Sequence, residues 1–330
     1  RTFLLAADDG VSMPELATFG ETMLRLSPPG DEPVETADTF AVHAAGAESN
    51  VAVAAQRLGV ESTWLSKVPD SPPGRRVLAA LRLHGVDPAV VLTEEGRQGT
   101  YYLERADPPR GRTVIYDREG AAIRTATAAE LPTEHVERAD AVHTTGITPA
   151  LSDTLATTTA DLLDLARAAG TTTVFDLNYR SKLWSPEAAR ETVTDLLDRV
   201  DVFVVADRDA EQVLGLSGTP TETADRLAAD YDFETVVVTR GEAGAVAIHD
   251  GETHEQPSIP ASDAHPVGTG DAFVGGFLAS RLQGGAVPDA LEYGAATAAL
   301  KRTVPGDAAV VTPAAVERAL GDGGGDGIDR

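Results

Sequence analysis

The second half of the chain alternates short apolar runs with stretches that have the spacing of amphipathic helices, and this alternation limits the possible folds more than any other feature. The first intervening helix is predicted over 152–169, because Gly170 ends it. Strands that alternate with helices form parallel sheets covered on both faces. The sequence therefore predicts an α/β fold with a mainly parallel central sheet, whose strands include 141–144, 172–176, 202–205 and 235–239.

The N-terminal third differs, because strand-like segments interrupt its helical patterns. These segments are 39–42, 99–104 and 112–116. No structureless linker separates this region from the rest, so we interpret the extra strands as part of the same domain. We predict one domain over 13–320 with a small β lid, whose strands are drawn from about 21–48 and 97–118.

The ends of the chain are left out of the fold prediction. Residues 1–12 precede the first convincing strand and are interpreted as a tag or extension, and 321–330 are predicted to be a flexible tail. No apolar run approaches the roughly 20 residues that span a bilayer, and 1–12 lack the apolar core of a secretory signal. We therefore predict a cytoplasmic protein.

Composition excludes several classes of function. The 330 residues include 52 Asp and Glu against 27 Lys and Arg, a formal charge of −25, which argues against binding to nucleic acid or an anionic membrane. The absence of cysteine excludes disulfides, thiolate zinc sites and cysteine nucleophiles. Because the acids are scattered along the chain, we interpret them as the surface of a protein adapted to concentrated salt, which screens their mutual repulsion.

The strongest local signal is a glycine-rich turn that runs into an apolar helix. Residues 265–273 read HPVGTGDAF. Glycine lets backbone amides approach an anion closely, and the N-terminus of a helix attracts phosphate. Gly268, Thr269 and Gly270 are therefore predicted to form an anion hole, with Asp271 beside it as a candidate base. The alternative is that Asp271 only caps the helix and the glycines only make a turn.

Two other nucleotide-binding motifs are excluded. A P-loop requires Gly-Lys-Ser or Gly-Lys-Thr, but each of the three lysines follows a serine or a leucine. A dinucleotide-binding fingerprint requires a third glycine where Phe273 stands. The sequence therefore does not favour a P-loop enzyme or a nicotinamide-dependent oxidoreductase.

With this turn in view, the chain resembles the ribokinase and phosphofructokinase-B family of sugar kinases, whose C-terminal signature reads approximately DTxGAGDAF. The similarity includes AGAESNVA at 45–52, DLNYR at 176–180 and VVVTRG at 236–241, in the family's order. The resemblance implies a ribokinase-like three-layer sandwich with a β lid over the sugar. It also implies ATP and Mg²⁺ as cofactors and Asp271 as general base, and the need for a monovalent cation stays open.

The resemblance implies further site residues. On the nucleotide side they are Asn178, Asp207, Thr239, Gly241 and Gly244. For magnesium, the register of DRDAE at 207–211 is not fixed, so Asp207 and Glu211 are both candidates for ordering metal-bound water, and the alternative is that both are solvent-facing acids.

Within the family, the segments 20–26, 45–50 and 176–184 look most like those of 2-keto-3-deoxygluconate kinases, which phosphorylate the C6 hydroxyl of a sugar acid. A carboxylate calls for a cationic partner, and a forked guanidinium suits it. Arg180 is the leading candidate. The resemblance adds Gly46, Asn50, Tyr102, Tyr116 and Arg118 to the substrate side.

Two other classes stay open. A fructokinase, ribokinase or nucleoside kinase would keep Asp271 without needing two arginines at one ligand. A non-catalytic sugar-binding protein is disfavoured because Asp271 is present. The sequence does not decide the C4 epimer of the sugar acid, and we expect a homo-oligomer that associates through the lid strands.

Overall fold

The alternating runs of the sequence build one large central sheet and a smaller second sheet. The computed structural model describes residues 15–262 and 264–321. Its strands are, in chain order, β1 (Leu16–Phe19), β2 (Met23–Ser27), β3 (Ala41–Ala45), β4 (Ser62–Pro69), β5 (Asp87–Thr93), β6 (Thr100–Glu104), β7 (Thr113–Asp117), β8 (Ala141–Thr145), β9 (Thr172–Asp176), β10 (Val202–Ala206), β11 (Thr235–Thr239), β12 (Ala245–His249) and β13 (Glu252–Gln256).

Helices connect most of the central strands, and the helix predicted over 152–169 is observed at Asp153–Ala169. The α-helices are α1 (Ala47–Arg57), α2 (Pro72–Leu83), α3 (Glu134–Arg138), α4 (Asp153–Ala169), α5 (Pro186–Leu197), α6 (Asp207–Asp209), α7 (Pro220–Asp230), α8 (Thr269–Leu282), α9 (Val287–Lys301) and α10 (Pro313–Gly321). The single turn α6 continues into a π-helical turn, Ala210–Leu214. Helix α4 ends at Gly170, which adopts the left-handed conformation expected of a helix C-cap.

The central sheet has nine strands in the order β13-β12-β11-β10-β9-β8-β1-β4-β5. Neighbouring strands pair in parallel from β11 to β5, whereas at the other edge β12 pairs antiparallel with both β11 and β13. One face is covered by α4, α5 and α7, and the other by α1, α8, α9 and α10. The predicted three-layer α/β sandwich is therefore confirmed.

The second sheet is separate from the central sheet and has the order β3-β2-β6-β7. We call it the lid sheet. Its inner face carries a small apolar cluster formed by Met23, Ala45, Tyr101 and Leu103. The strand predicted at 39–42 lies instead at Ala41–Ala45, because β3 pairs with β2 up to Ala45 and then leads directly into α1.

Within the described ranges, no helix is both long enough and apolar enough to span a bilayer. The predicted extension at 1–12 lies outside the described residues, as does the predicted tail apart from Gly321, the last residue of α10.

Candidate active site

A cavity of about 420 Å³ lies between the lid sheet and the carboxyl ends of the central strands. Ligands of open α/β sheets bind in this position, because loops that leave the strands converge there. The predicted site residues that line it are Gly46, Asn50, Tyr116, Arg118, Asn178, Arg180, Thr239, Gly268, Thr269, Gly270 and Asp271. Residues separated by more than 200 positions in the sequence thus meet in one cavity.

The glycine-rich turn ends at Gly268, the residue before α8, which has a φ of +81°. A Cβ atom at this position would lie 1.9 Å from the carbonyl oxygen of Asp307, so both the conformation and the space require glycine. A Cβ at Gly270 would meet no atom within 4 Å. The first amides of α8 have no partner inside the helix and adjoin this open space, which makes the turn suitable for an anion.

Asp271 stands in the first turn of α8, at the cavity wall. Its Oδ2 accepts a hydrogen bond of 2.7 Å from the side-chain amide of Asn50. Desolvation raises the pKa of Asp271 to about 6, although the Asn50 hydrogen bond and the charge of Arg180 lower it. Asp271 is therefore mostly ionised at neutral pH, yet more basic than an exposed carboxylate.

Asn50 reaches Asp271 because the chain turns tightly at Gly46 just before α1. A Cβ at Gly46 would lie 2.0 Å from the carbonyl oxygen of Glu21, so a larger residue would displace the start of the helix. The backbone amide of Asn50 donates to the Gly46 carbonyl at 2.8 Å. This glycine thereby sets the position of the amide that contacts the candidate base.

Arg180 reaches the cavity from the segment after β9. Asn178 has a φ of +41° there, and its amide donates to Asp176 Oδ1 at 3.1 Å. The Nη1 of Arg180 donates to the carbonyls of Asn178 and Tyr179 at 3.3 and 3.0 Å, which fixes the guanidinium. Burial raises the pKa of Asp176 to about 8, and Arg180 opposes that increase.

Directly after β7, the guanidinium of Arg118 lies 4.8 Å from the ring centroid of Tyr116 and pairs with Glu21 at 2.7 Å. Both members of this ion pair line the cavity. Burial is the largest influence on the Glu21 carboxyl and raises its pKa, even though Arg118 opposes the shift. Arg118 is therefore held in place before any substrate arrives.

Tyr102, a predicted substrate contact, does not line the cavity. Successive side chains of a strand point to opposite faces of its sheet, and on β6 Tyr101 faces the cavity. Tyr102 packs on the outer face, with its ring centroid 5.8 Å from that of Phe40. The hydroxyl of Tyr101 donates to Asp307 Oδ1 at 3.3 Å.

Only some of the residues predicted for the nucleotide side line the cavity. Thr239 lines the cavity, whereas Gly241 and Gly244 lie outside it, in the turn between β11 and β12. Asp207 and Glu211 are exposed and do not line the cavity.

Asp209 is the acid of this segment that lines the cavity, because α6 turns it inward. Its side chain is 6% exposed and contacts Arg208 at 3.3 Å. Within the described ranges, no three acidic or histidine side chains cluster as a metal site. A magnesium ion bound mainly by nucleotide phosphates and water needs no such cluster.

Three groups near the turn were not predicted from the sequence as site residues. Buried Glu48 accepts hydrogen bonds from the hydroxyls of Thr145 and Thr148 at 2.7 and 2.8 Å, and desolvation raises its pKa to about 7. Arg25 and Asp307 form a buried ion pair at 2.8 Å behind Gly268. No local sequence signal pairs Arg25 with Asp307, whereas Glu48 stands in the quoted segment 45–52.

Comparisons with known proteins agree with this geometry. The family model for pfkB family carbohydrate kinases matches residues 13–314. A 2-dehydro-3-deoxygalactonokinase of Haloferax volcanii is 58% identical over 316 residues, covering 96% of this chain and 99% of that protein. A 2-dehydro-3-deoxygluconokinase of Thermoproteus tenax is 32% identical and covers 90% of each chain.

Among solved structures, the 2-dehydro-3-deoxygluconokinase of Thermotoga maritima superposes with a TM-score of 0.88 at 31% identity. The match covers 94% of this chain and 99% of that one. Sequence, fold and family model thus agree over nearly the whole described region, and the chain belongs to the pfkB family of carbohydrate kinases, as an ATP-dependent sugar kinase.

Proposed function

We propose that this kinase transfers the γ-phosphoryl group of ATP to the C6 hydroxyl of a 2-keto-3-deoxy sugar acid. The observation that carries the proposal is that Arg118 and Arg180, two of the three arginines that line the cavity, share it with Asp271. A neutral sugar needs mainly neutral donors and acceptors, whereas a carboxylate gains most from a guanidinium.

In the proposed reaction, Asp271 accepts the proton of the attacking hydroxyl. The amides at the start of α8 stabilise the charge that develops on the transferred phosphoryl group. Asn50 orients the Asp271 carboxylate through its 2.7 Å hydrogen bond. Magnesium, when bound with ATP, would supply neutralising charge on the phosphates, near the acids that follow β10.

The carboxylate of the substrate is proposed to bind Arg180, whose guanidinium is fixed by the two backbone carbonyls. Arg118 is already paired with Glu21, so it has less charge to offer. Between the two C4 epimers, the 58% identical relative is named for the galactonate form. We therefore propose 2-keto-3-deoxygalactonate as the preferred epimer, where the sequence resemblance favoured 2-keto-3-deoxygluconate.

The role of Asp271 is tested by the Asp271→Asn variant. We expect kcat to fall by about 10²-fold or more, because a general base is lost. In the unmodified enzyme, kcat/KM should fall as the pH drops below about 6, where Asp271 becomes protonated. Asp250→Asn is the matched control, because it removes an exposed acid at a hairpin turn. Turnover close to the unmodified rate in folded Asp271→Asn would refute the assignment.

The substrate class is tested by steady-state kinetics with both 2-keto-3-deoxy sugar acids, fructose and ribose. We expect the acids to have the higher kcat/KM, and Arg180→Ala to remove about 2–5 kcal/mol of that preference. Arg75→Ala is the control, because its side chain is 58% exposed and does not line the cavity. If fructose or ribose were the better substrate, the neutral-sugar alternative would replace the proposal.

We also propose that copies of the chain associate through the outer face of the lid sheet. Tyr102 and Ile115 are cross-strand neighbours on that face, and Ile115 is 48% exposed. Size-exclusion chromatography of Ile115→Lys should show a smaller species than the unmodified chain. An unchanged elution volume for a folded variant would argue against this interface.

A further inference from the structure

The side chain of Lys301 is completely buried, which is rare for a lysine. It is the last residue of α9. Its Nζ donates to two backbone carbonyls, that of His265 at 3.0 Å and that of Val304 at 3.2 Å. No surface or cavity function explains this position, because Lys301 does not line the cavity.

The two carbonyls belong to the segments that shape the anion-binding turn. His265 enters the turn three residues before Gly268, and its amide donates to the Arg302 carbonyl at 3.0 Å. Val304 lies in the loop 302–307, and the Asp307 carbonyl at the end of that loop is the atom against which Gly268 packs. A single ammonium group therefore joins the chain that enters the turn to the loop that supports it.

Physical chemistry explains why a cation stands there. Two carbonyl oxygens that converge in a buried place repel each other and need a donor or a cation between them. Proteins use converging backbone carbonyls in this way to bind alkali cations. Burial lowers the pKa of Lys301 to about 8, with Arg25 and Arg105 contributing and Asp307 and Asp271 opposing, so the group is charged at neutral pH.

We propose that Lys301 is a positioning residue whose ammonium group takes the place of a free monovalent cation and holds the anion-binding turn in its active shape. The open question of a monovalent-cation requirement is thereby answered from the chain's own residues, since the two carbonyls are already occupied by Lys301. The inference rests on the proposed role of the turn in phosphoryl transfer and is independent of the sugar that is phosphorylated.

The first test uses the unmodified enzyme. Its kcat and melting temperature are measured in NaCl, KCl and tetramethylammonium chloride at one high ionic strength, with the sugar that it phosphorylates best. Salts of matched ionic strength separate the identity of the cation from general screening of the acidic surface. We expect the same values in all three salts. A kcat that depended on K⁺ over tetramethylammonium would overturn the proposal.

The second test removes the charge. In tetramethylammonium chloride, Lys301→Ala should lose about tenfold to a hundredfold in kcat, because a displaced turn misaligns the phosphoryl group. KCl or NH₄Cl should restore part of the kcat and raise the melting temperature of the variant, because a small cation can enter the vacated space. Leu291→Ala is the control, since it opens a cavity on the same buried helix without removing a charge.

The outcomes are distinct. The role of the charge is refuted if Lys301→Ala is as active as the unmodified enzyme. It is also refuted if the loss of kcat and the melting temperature of Lys301→Ala are the same in all salts. If Lys301→Ala does not fold, Lys301→Arg, which keeps the charge, is expected to fold and to remain independent of the added cation. A Lys301→Arg protein that needs K⁺ contradicts the proposal. None of these results depends on whether acids or neutral sugars are preferred, so the proposed substrate can fail separately.

Discussion

Two alanine substitutions in one turn, Gly268→Ala and Gly270→Ala, should differ in their effects on stability. At Gly268, a φ of +81° costs an alanine roughly 1–2 kcal/mol. The added Cβ would lie 1.9 Å from the Asp307 carbonyl oxygen, and relieving such a contact adds about 1–3 kcal/mol. The less flexible unfolded chain offsets about 0.4–1 kcal/mol of this cost, so Gly268→Ala should destabilise the fold by about 1–5 kcal/mol.

Gly270 stands two residues later, in regular helix and beside open space. Alanine there should leave stability unchanged or increase it by up to about 1 kcal/mol, because alanine is the better helix former. That same open space is where the phosphoryl group is proposed to bind. We therefore expect kcat/KM for ATP to fall by about tenfold to a hundredfold in Gly270→Ala.

The assay is denaturant unfolding in molar KCl, together with initial rates at varied ATP. We expect Gly268→Ala to lose stability, and Gly270→Ala to lose activity without losing stability. Equal stability of Gly268→Ala and Gly270→Ala would refute the backbone argument. Full activity of Gly270→Ala would refute the placement of the phosphoryl group.

Three further predictions concern stability. The melting temperature should rise from dilute buffer to molar KCl, because salt screens the repulsion of a chain with a charge of −25, and an unchanged value would contradict salt adaptation. Burial raises the pKa of Glu48 to about 7 and that of Asp176 to about 8. The folded chain therefore binds more protons than the unfolded chain, and the unfolding free energy should fall as the pH rises from about 5 to about 8. In denaturant titrations, Glu48→Gln should flatten that slope, and an identical slope would remove Glu48 as its source. Arg25→Met should lower the unfolding free energy by about 3–5 kcal/mol, because it leaves Asp307 buried without its ion-pair partner. The double variant Arg25→Met with Asp307→Asn should recover part of that loss. If Arg25→Met were as stable as the unmodified chain, the ion pair would not contribute to stability.

The parts of the structure that were predictable from sequence depend on local rules. The glycines around Asp271 could be interpreted because a left-handed cap and a helix N-terminus need only neighbouring residues. The alternation of apolar runs and helices likewise predicted the parallel sheet. Strands β4 and β5 were missed, because β4 includes Ser66, Lys67 and Pro69, which interrupt the apolar pattern of a buried strand.

The predicted residues that the structure leaves outside the cavity have a geometric explanation. A shift of one residue along a strand moves a side chain to the other face, so the sequence could not choose between Tyr101 and Tyr102. The same uncertainty of register made Asp207 and Glu211 candidates where Asp209 faces the cavity. Contacts such as that between Arg25 and Asp307 join residues 282 positions apart, and no local pattern indicates them.

Arg25 and Tyr101 lie on two different strands of the lid sheet, and both contact Asp307 from the C-terminal part of the chain. The lid sheet is therefore anchored to the C-terminal part of the chain through Asp307, and any movement of the lid would bend about this anchor. The carbonyl oxygen of Asp307 also packs against Gly268. A displacement of the lid would therefore be passed on to the anion-binding turn through the backbone of Asp307. Binding of the sugar at the lid and of the nucleotide at the turn would then be coupled through Asp307.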